Sequence, residues 1–278
     1  MSFDSAESPL GDTSADSHIH RSPMNCFSVC VITSNEEQNL PRALNSVRGV
    51  ADEIVVVDCG SKDRTQQIAR EQGAALFERA WTNYGEQRNF AAACARNEWV
   101  FTLDADEELS AELRASLLEW KLQEPKFVVY EMPRRAWYLG DWIKHSGWYP
   151  DYQPRLYRRD AARYSGIVHE SMLFEGKRGQ LKGDLLHYTI RSFAEHEEKV
   201  ERYSALAAQQ MHLSGKRSWR PAILFAVPWS WFQNYFLRGG FLDGYRGALI
   251  ARMAARSVRI KYRKLGQLIR AAGKRDRE

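Results

Sequence analysis

At 278 residues, with 44% apolar and 27% charged positions, the chain can bury a real core as one large domain or two small ones. It has no run of 18 or more uncharged apolar residues, which argues against a membrane-spanning helix, and its acidic, Ser-rich start lacks the basic-then-apolar pattern of a signal peptide. The net charge of +5 is uneven: residues 1–20 carry Asp4, Glu7, Asp12 and Asp16 without Lys or Arg, whereas Arg252 to Arg277 is densely basic, a distribution that points to nucleic acid or an anionic membrane surface.

Residues 1–24 are poor in large apolar side chains and rich in Ser, Asp and Gly, and read as a disordered tail. Order is expected from Phe27. Phe27–Thr33 is a buried strand, and after a polar turn at Ser34-Asn35 a helix is expected from about Glu36 to Val47, with Leu40, Ala43, Leu44 and Val47 on one face. Glu36 and Glu37 suit the first turn of such a helix. The alternation repeats with a strand at Glu53–Val57 ending on Asp58, a turn at Cys59–Asp63, a helix to Gln72, a short strand at Ala74–Phe77, a helix from Tyr84 to Arg96 and a fourth strand at Trp99–Leu103. Ser110 can cap the helix that ends near Trp120. Strands and helices alternating with short connections imply a parallel sheet covered by helices on both faces. The cysteines, Cys26, Cys30, Cys59 and Cys94, show no Cys-x-x-Cys spacing. Cys26 and Cys30 lie roughly 13 Å apart along a strand, too far to pair, so reduced thiols in a cytosolic protein are expected.

In a parallel sheet, ligands bind outside the carboxyl ends of the strands. Thr33, Asn35 and Glu36 follow the first strand, Asp58 and Gly60 the second, and Asp104-Ala105-Asp106 the fourth. Two carboxylates one residue apart at a strand end suit a divalent cation such as Mg²⁺ or Mn²⁺ shared with substrate phosphates. Three polar clusters on one edge indicate a nucleotide-type site, while the missing Gly-x-Gly-x-x-Gly and Gly-x-x-x-x-Gly-Lys patterns speak against a dinucleotide fold or a P-loop. Asp58 offers an acceptor for a base or ribose donor, and Arg88 a fork of donors for base or phosphate oxygens.

These residues resemble a known family. Val31-Ile32-Thr33-Ser34-Asn35-Glu36-Glu37, the string from Val57 to Thr65, Gln87-Arg88-Asn89 and Leu103-Asp104-Ala105-Asp106-Glu107 resemble family 2 glycosyltransferases of the GT-A fold. Gly147 to Arg159, Val168-His169-Glu170 and Gly239-Gly240-Phe241-Leu242-Asp243-Gly244 resemble its lipopolysaccharide inner-core β-1,4-glucosyltransferase subgroup. The likeness covers roughly residues 27–265. Cys59, Lys62 and Arg64 stand where the family usually has Ser, Thr and Gly. The resemblance implies inverting transfer of a hexose, expected as glucose from UDP-glucose, onto the lipopolysaccharide inner core. Mn²⁺ or Mg²⁺ is the implied cofactor, with Asp106 as direct ligand, Asp104 holding the metal or the ribose, and His169 as a third contact. Thr33, Asn35, Glu36, Asp58, Gly60, Gln87, Arg88, Asp104 and Arg155 are the implied nucleotide-sugar contacts. Single displacement needs one base opposite the leaving group. Asp151, in Tyr149-Pro150-Asp151-Tyr152, is the candidate, with Glu170 the competitor.

The implied organisation is a GT-A domain over 25–205, with a nucleotide-binding half to 107 and an acceptor half from 108, and a helical, basic region over 206–278. Ala222–Phe232 and Tyr235–Leu237 are aromatic, apolar and broken by Pro228, too short to span a bilayer but suited to its interface. The basic helix that follows, from about Tyr245 to Arg270, suits peripheral attachment to anionic lipid. The expected location is therefore cytoplasmic, on the inner face of the bacterial inner membrane, with a lipid A–core acceptor. A polyprenyl-linked or other surface glycan is the alternative acceptor. A basic nucleic-acid-binding module is the non-enzyme alternative. No RNA- or DNA-binding motif supports it, so no nucleic-acid partner is expected.

Overall fold

The computed structural model describes residues 25–166, 171–216 and 219–275. The expected disordered tail at 1–24, and His169 and Glu170, lie outside the described residues. In chain order the elements are β1 (Phe27–Thr33), α1 (Leu40–Val47), β2 (Glu53–Asp58), α2 (Thr65–Glu71), β3 (Ala75–Glu78), α3 (Tyr84–Cys94), β4 (Trp99–Asp104), β5 (Glu107–Leu109), α4 (Ala111–Trp120) and β6 (Val129–Tyr138). Then come β7 (Asp141–Trp142), β8 (Asp151–Arg158), β9 (Ala162–Ser165), β10 (Ser171–Phe174), β11 (Gly179–Gln180), β12 (Leu185–Ile190), α5 (Phe193–Leu213), α6 (Arg220–Phe232) and α7 (Gly244–Arg275).

The sheet runs β3-β2-β1-β4-β8-β6-β12-β5. β1 to β4 are mutually parallel where they pair, β8 enters antiparallel between β4 and β6, and β12 lies parallel to β6. The N-terminal half of the sheet is thus the expected parallel unit, and the second half is mixed. Strands covered on both faces read as unbroken apolar runs. This explains Val29, Cys30 and Val31 in β1 and Val55, Val56 and Val57 in β2, all buried.

α1 starts at Leu40, four residues later than the sequence pattern suggests, and Glu36–Asn39 forms a turn instead. Pro41 explains the late start: it lacks an N–H, which a helix begun at Glu36 would need at that residue and which a first helical turn does not. Leu40, Ala43, Leu44 and Val47 still form the buried face. Asn83, Ser110 and Ser192 cap α3, α4 and α5 by accepting from the N–H three residues on.

The largest core cluster lies under α1 and α4 and includes Phe27, Trp99, Phe101, Trp120 and Tyr130, whose rings meet edge-on or tilted. A second cluster under α3 joins Cys30, Val57 and Ala91 to Tyr157, Tyr164 and Met172. A third, of Tyr138, Ile143, Ile190 and Ile250, ties α7 to the far end of the sheet. α5 runs unbroken past residue 205, where the sequence pattern places a domain boundary, and packs on α7 through Ser204 Oγ and Ser257 Oγ at 2.9 Å. No described helix is long and apolar enough to cross a membrane.

Candidate active site

The turns after β1 and β2 are sewn together at the carboxyl edge. Asn35 takes a left-handed backbone (φ 58°); its amide N–H donates to Ser61 Oγ and its Oδ1 accepts from the Lys62 N–H, both at 2.8 Å. The Glu36 N–H donates to Thr65 Oγ1 at 2.8 Å. Asp58 is fully buried and organises this loop. Its carboxylate accepts from Thr33 Oγ1 (3.0 Å), the Gly60 and Ser61 N–H groups (3.1 and 2.9 Å), Ser61 Oγ (2.5 Å) and Gln66 Nε2 (2.8 Å). Burial alone would push the Asp58 carboxyl up, but the donors from Ser61, Gln66 and Thr33 outweigh it and hold it below the usual carboxylate range. Gly60 has φ +84° with open space where a Cβ would stand, so glycine is there for the backbone and not for lack of room. Gln87 is buried and donates to the Ala80 carbonyl at 2.8 Å, fixing the chain before α3.

At the end of β4, charges alternate in one chain of contacts. Arg88 Nη2 meets Asp104 Oδ1 at 2.7 Å and Arg155 Nη2 meets Asp104 Oδ2 at 2.8 Å. The same Arg155 nitrogen reaches Glu107 Oε1 at 2.6 Å. Arg134 lies 3.7 Å from Glu107 and 2.7 Å from Asp151. Burial would push Asp104 up, but the Arg155 and Arg88 guanidiniums overwhelm it and hold the carboxyl well below its ordinary range. Burial pushes Glu107 up against the pull of Arg155, with the Asp104 charge adding to the rise. Arg155, expected at the diphosphate, is thus buried between two carboxylates, and both Asp104 oxygens face guanidiniums.

Asp106 sits differently. It is one-third exposed, and its Oδ2 lies 3.1 Å from His187 Nε2. Burial raises the Glu36 carboxyl, and the Asp106 charge adds to that rise. His187 also lines a cavity of about 560 Å³ together with Asp151, Arg134, Trp148, His196 and Lys199. Asp151 stands at its rim, 40% exposed. Its Oδ2 accepts from Arg134 Nε and Nη2 (3.0 and 2.7 Å) and its Oδ1 from Gln153 Nε2 (2.8 Å). A second cavity, about 430 Å³, opens on Arg88, Asp104 and Arg155 and shares Arg134 with the first. The fold therefore brings the Asp104–Asp106 turn and Asp151 to opposite ends of one charged network.

Residues 28–194 match the family model described as glycosyl transferase family 2. The chain belongs to this family. Among relatives, the lipopolysaccharide core biosynthesis glycosyltransferase LpsC of Rhizobium meliloti is 31% identical over 86% of this chain and 93% of its own length. An uncharacterized glycosyltransferase of Rickettsia typhi is 30% identical over 81% of each chain. Of solved structures, a glucosyl-3-phosphoglycerate synthase from Mycobacterium tuberculosis, in complex with Mn²⁺, UDP and glucosyl-3-phosphoglycerate, is 22% identical with a TM-score of 0.33. That overlap spans 41% of this chain and 44% of the other.

Among the described residues, no three His, Cys, Asp or Glu side chains gather as a ready cation cage. A glycosyltransferase that shares its cation with a diphosphate needs fewer protein donors. Asp106 and His187 supply an oxygen and a nitrogen on one face, which fits such a half-site. The sequence pattern does not single out His187, Arg134, Glu107 or Asp243 as site residues. His187 and Arg134 lie in β12 and β6, strands that the pattern leaves unassigned; Glu107 directly follows the acidic pair, which is a local signal.

Asp243 closes the loop that leads to Asp151. Its Oδ1 accepts from the Lys144 N–H at 3.1 Å, and its Oδ2 from the His145 N–H (3.1 Å) and Ser146 Oγ (2.7 Å). Ser146 is fully buried with φ 60°, and Gly147 lies under Arg238, whose Cδ would stand 2.5 Å from an added Cβ. Three hydrogen bonds at about 1 kcal/mol each predict that Asp243→Ala lowers stability by about 1–3 kcal/mol. Turnover should fall while donor affinity stays constant, with Asp243→Asn partly restoring both stability and turnover. Thermal denaturation and steady-state kinetics of the two variants check this.

Proposed function

We propose that this glycosyltransferase moves a hexose, glucose from UDP-glucose, with inversion onto the heptose region of the lipopolysaccharide inner core. The observation that supports it best is Asp151, oriented by Arg134 at the rim of the cavity that His187 shares. The acceptor hydroxyl oxygen forms the new bond to the anomeric carbon as the bond to the diphosphate oxygen breaks, and the hydroxyl proton passes to an Asp151 oxygen. Arg134 fixes the direction of that carboxylate through two hydrogen bonds. Glu170 remains the competing base. Thr33, Asn35, Glu36 and Gly60 frame the nucleoside edge, and Asp58 shapes it. Arg88, Asp104 and Arg155 form the charged floor beside the diphosphate.

A bound Mn²⁺ or Mg²⁺ would supply Lewis-acid stabilisation of the leaving diphosphate. Asp106 and His187 would hold it, with His169 a further candidate and Asp104 acting through the guanidiniums it pairs. The LpsC likeness supports a core glycan acceptor; a polyprenyl-linked glycan is the second reading. Such an acceptor is lipid-borne, which supports work at the cytoplasmic face of the inner membrane with the C-terminal helices against it. The test is a nucleotide-sugar turnover screen with and without Mn²⁺, followed by transfer to isolated core oligosaccharide. Turnover of UDP-glucose that chelator abolishes is expected; full turnover in excess chelator would overturn the metal assignment, and turnover of a different donor alone would overturn glucose.

A further inference from the structure

The C-terminal helices carry a groove that shares no lining residue with the two cavities at Asp151 and Asp104. It holds about 730 Å³ between α6 and α7, and one wall presents Arg252, Arg256, Arg259 and Arg263. Steps of four, three and four residues place these side chains within about 60° of one another around α7. All are exposed. α5 faces them with Glu197 and Glu201, but Glu197 pairs with Arg256 and Glu201 with Lys264. Arg252, Arg259 and Arg263 make no hydrogen bond or ion pair among the described residues.

The opposite wall is apolar, made by Val227, Pro228 and Trp231 of α6. From that wall an exposed apolar strip continues around α6: Leu224 and Phe225 are 68% and 69% exposed, Trp229 56%, and Phe232 and Phe236 are exposed beyond it. A lone basic helix face is commonly just a solvated face. Here the cations line a cleft whose other side is aromatic and open, the arrangement that a phosphate head group with adjoining acyl chains complements.

We infer that the α6–α7 groove seats the phosphate head group of an anionic membrane lipid while the Phe225–Trp229–Phe232 strip enters the bilayer interface. This rests on the reading that the enzyme works at a membrane, and it adds which residues do the docking. The groove arginines act as a set at one lipid phosphate, so their effect exceeds that of equal charge elsewhere.

The test is co-sedimentation of the full chain with phosphatidylcholine vesicles containing about one quarter phosphatidylglycerol, at about 0.1 M salt. Arg259→Ala/Arg263→Ala should weaken binding about 30-fold, at roughly a factor of five per cation. Arg70→Ala/Lys177→Ala, which removes the same charge from exposed positions elsewhere, should change it little. Phe225→Ser/Trp229→Ser should weaken binding at every salt concentration. Equal losses in the two charge variants would reduce the site to diffuse attraction and overturn the inference. So would wild-type binding to pure phosphatidylcholine as tight as to the mixture, or displacement from the mixture by a single-stranded RNA oligonucleotide at equal phosphate. Circular dichroism and thermal midpoints establish that the variants fold. Donor turnover without vesicles reads the transferase separately, so failure of one leaves the other standing.

Discussion

Asp151→Asn is expected to bind the nucleotide sugar as the wild type does and to transfer it at least 100-fold more slowly. The two side chains have the same shape, and an Asn carbonyl oxygen can still accept from Arg134, which donates to Oδ2 at 3.0 and 2.7 Å. The Arg134 contact is therefore kept, and the Gln153 amide, which donates to Oδ1 in the wild type, need only turn to present its oxygen to the new NH₂, while the proton acceptor is removed. General-base assistance contributes about 10²–10⁴-fold, or roughly 3–5 kcal/mol of barrier. The loss should appear in kcat with the donor Kd unchanged, because Asp151 faces a cavity that none of the residues in the turns after β1 and β2 lines. Calorimetric donor titration and single-turnover transfer measure the two quantities. Wild-type transfer by this variant would move the base to Glu170. Arg134→Ala supplies the companion result: it leaves the carboxylate but frees its direction, so a smaller loss of kcat is expected, with partial recovery in Arg134→Lys.

The part of the site legible in the sequence is the part made by local pattern. Thr33, Asn35, Asp58, Gly60, Asp104 and Asp106 each end a strand or open a turn, so alternating apolar runs and polar punctuation are enough to place them on one edge. The same reasoning places the buried face of α1 but not its start, because Pro41 overrides the acidic first-turn signal of Glu36 and Glu37. What pattern does not reveal is long-range pairing. Arg155 and Tyr157 alternate in β8 as a strand requires, yet Arg155's partners, Asp104 and Glu107, lie about fifty residues away and are set by β8 pairing antiparallel with β4. His187 meets Asp106 because β12 pairs with β5, with His187 opposite Glu107. Such register is fixed by tertiary packing and leaves no trace in spacing.

The two aspartates of the Asp104–Asp106 turn should separate by experiment. Asp106→Ala is expected to lower Mn²⁺ affinity and transfer each by at least 100-fold while leaving the thermal midpoint close to wild type, since the Asp106 side chain is one-third exposed and, among the described residues, pairs with His187 alone. Losing the stabilisation of a leaving diphosphate removes several kcal/mol from the transition state. His187→Ala should follow with a smaller loss of Mn²⁺ affinity, about tenfold, the low end of what losing a group that supports a metal site costs. Asp104→Ala should fail in another way. It takes a carboxylate away from two buried guanidiniums, Arg88 at 8% and Arg155 at 3% exposure, with Glu107 still beside Arg155, and breaking a buried pair by removing one partner destabilises by about 3–5 kcal/mol. The sign of the pH dependence follows from the depressed Asp104 carboxyl: its contribution is complete above the ordinary carboxylate range near pH 4 and is lost only as pH falls toward its folded value. Asp104→Ala should therefore flatten the acid limb of the stability profile. Electron paramagnetic titration of Mn²⁺ and denaturation across pH read the two effects without relying on activity. If Asp104→Ala kept full stability and Asp106→Ala kept Mn²⁺, the assignment of cation to Asp106 and scaffold to Asp104 would be reversed.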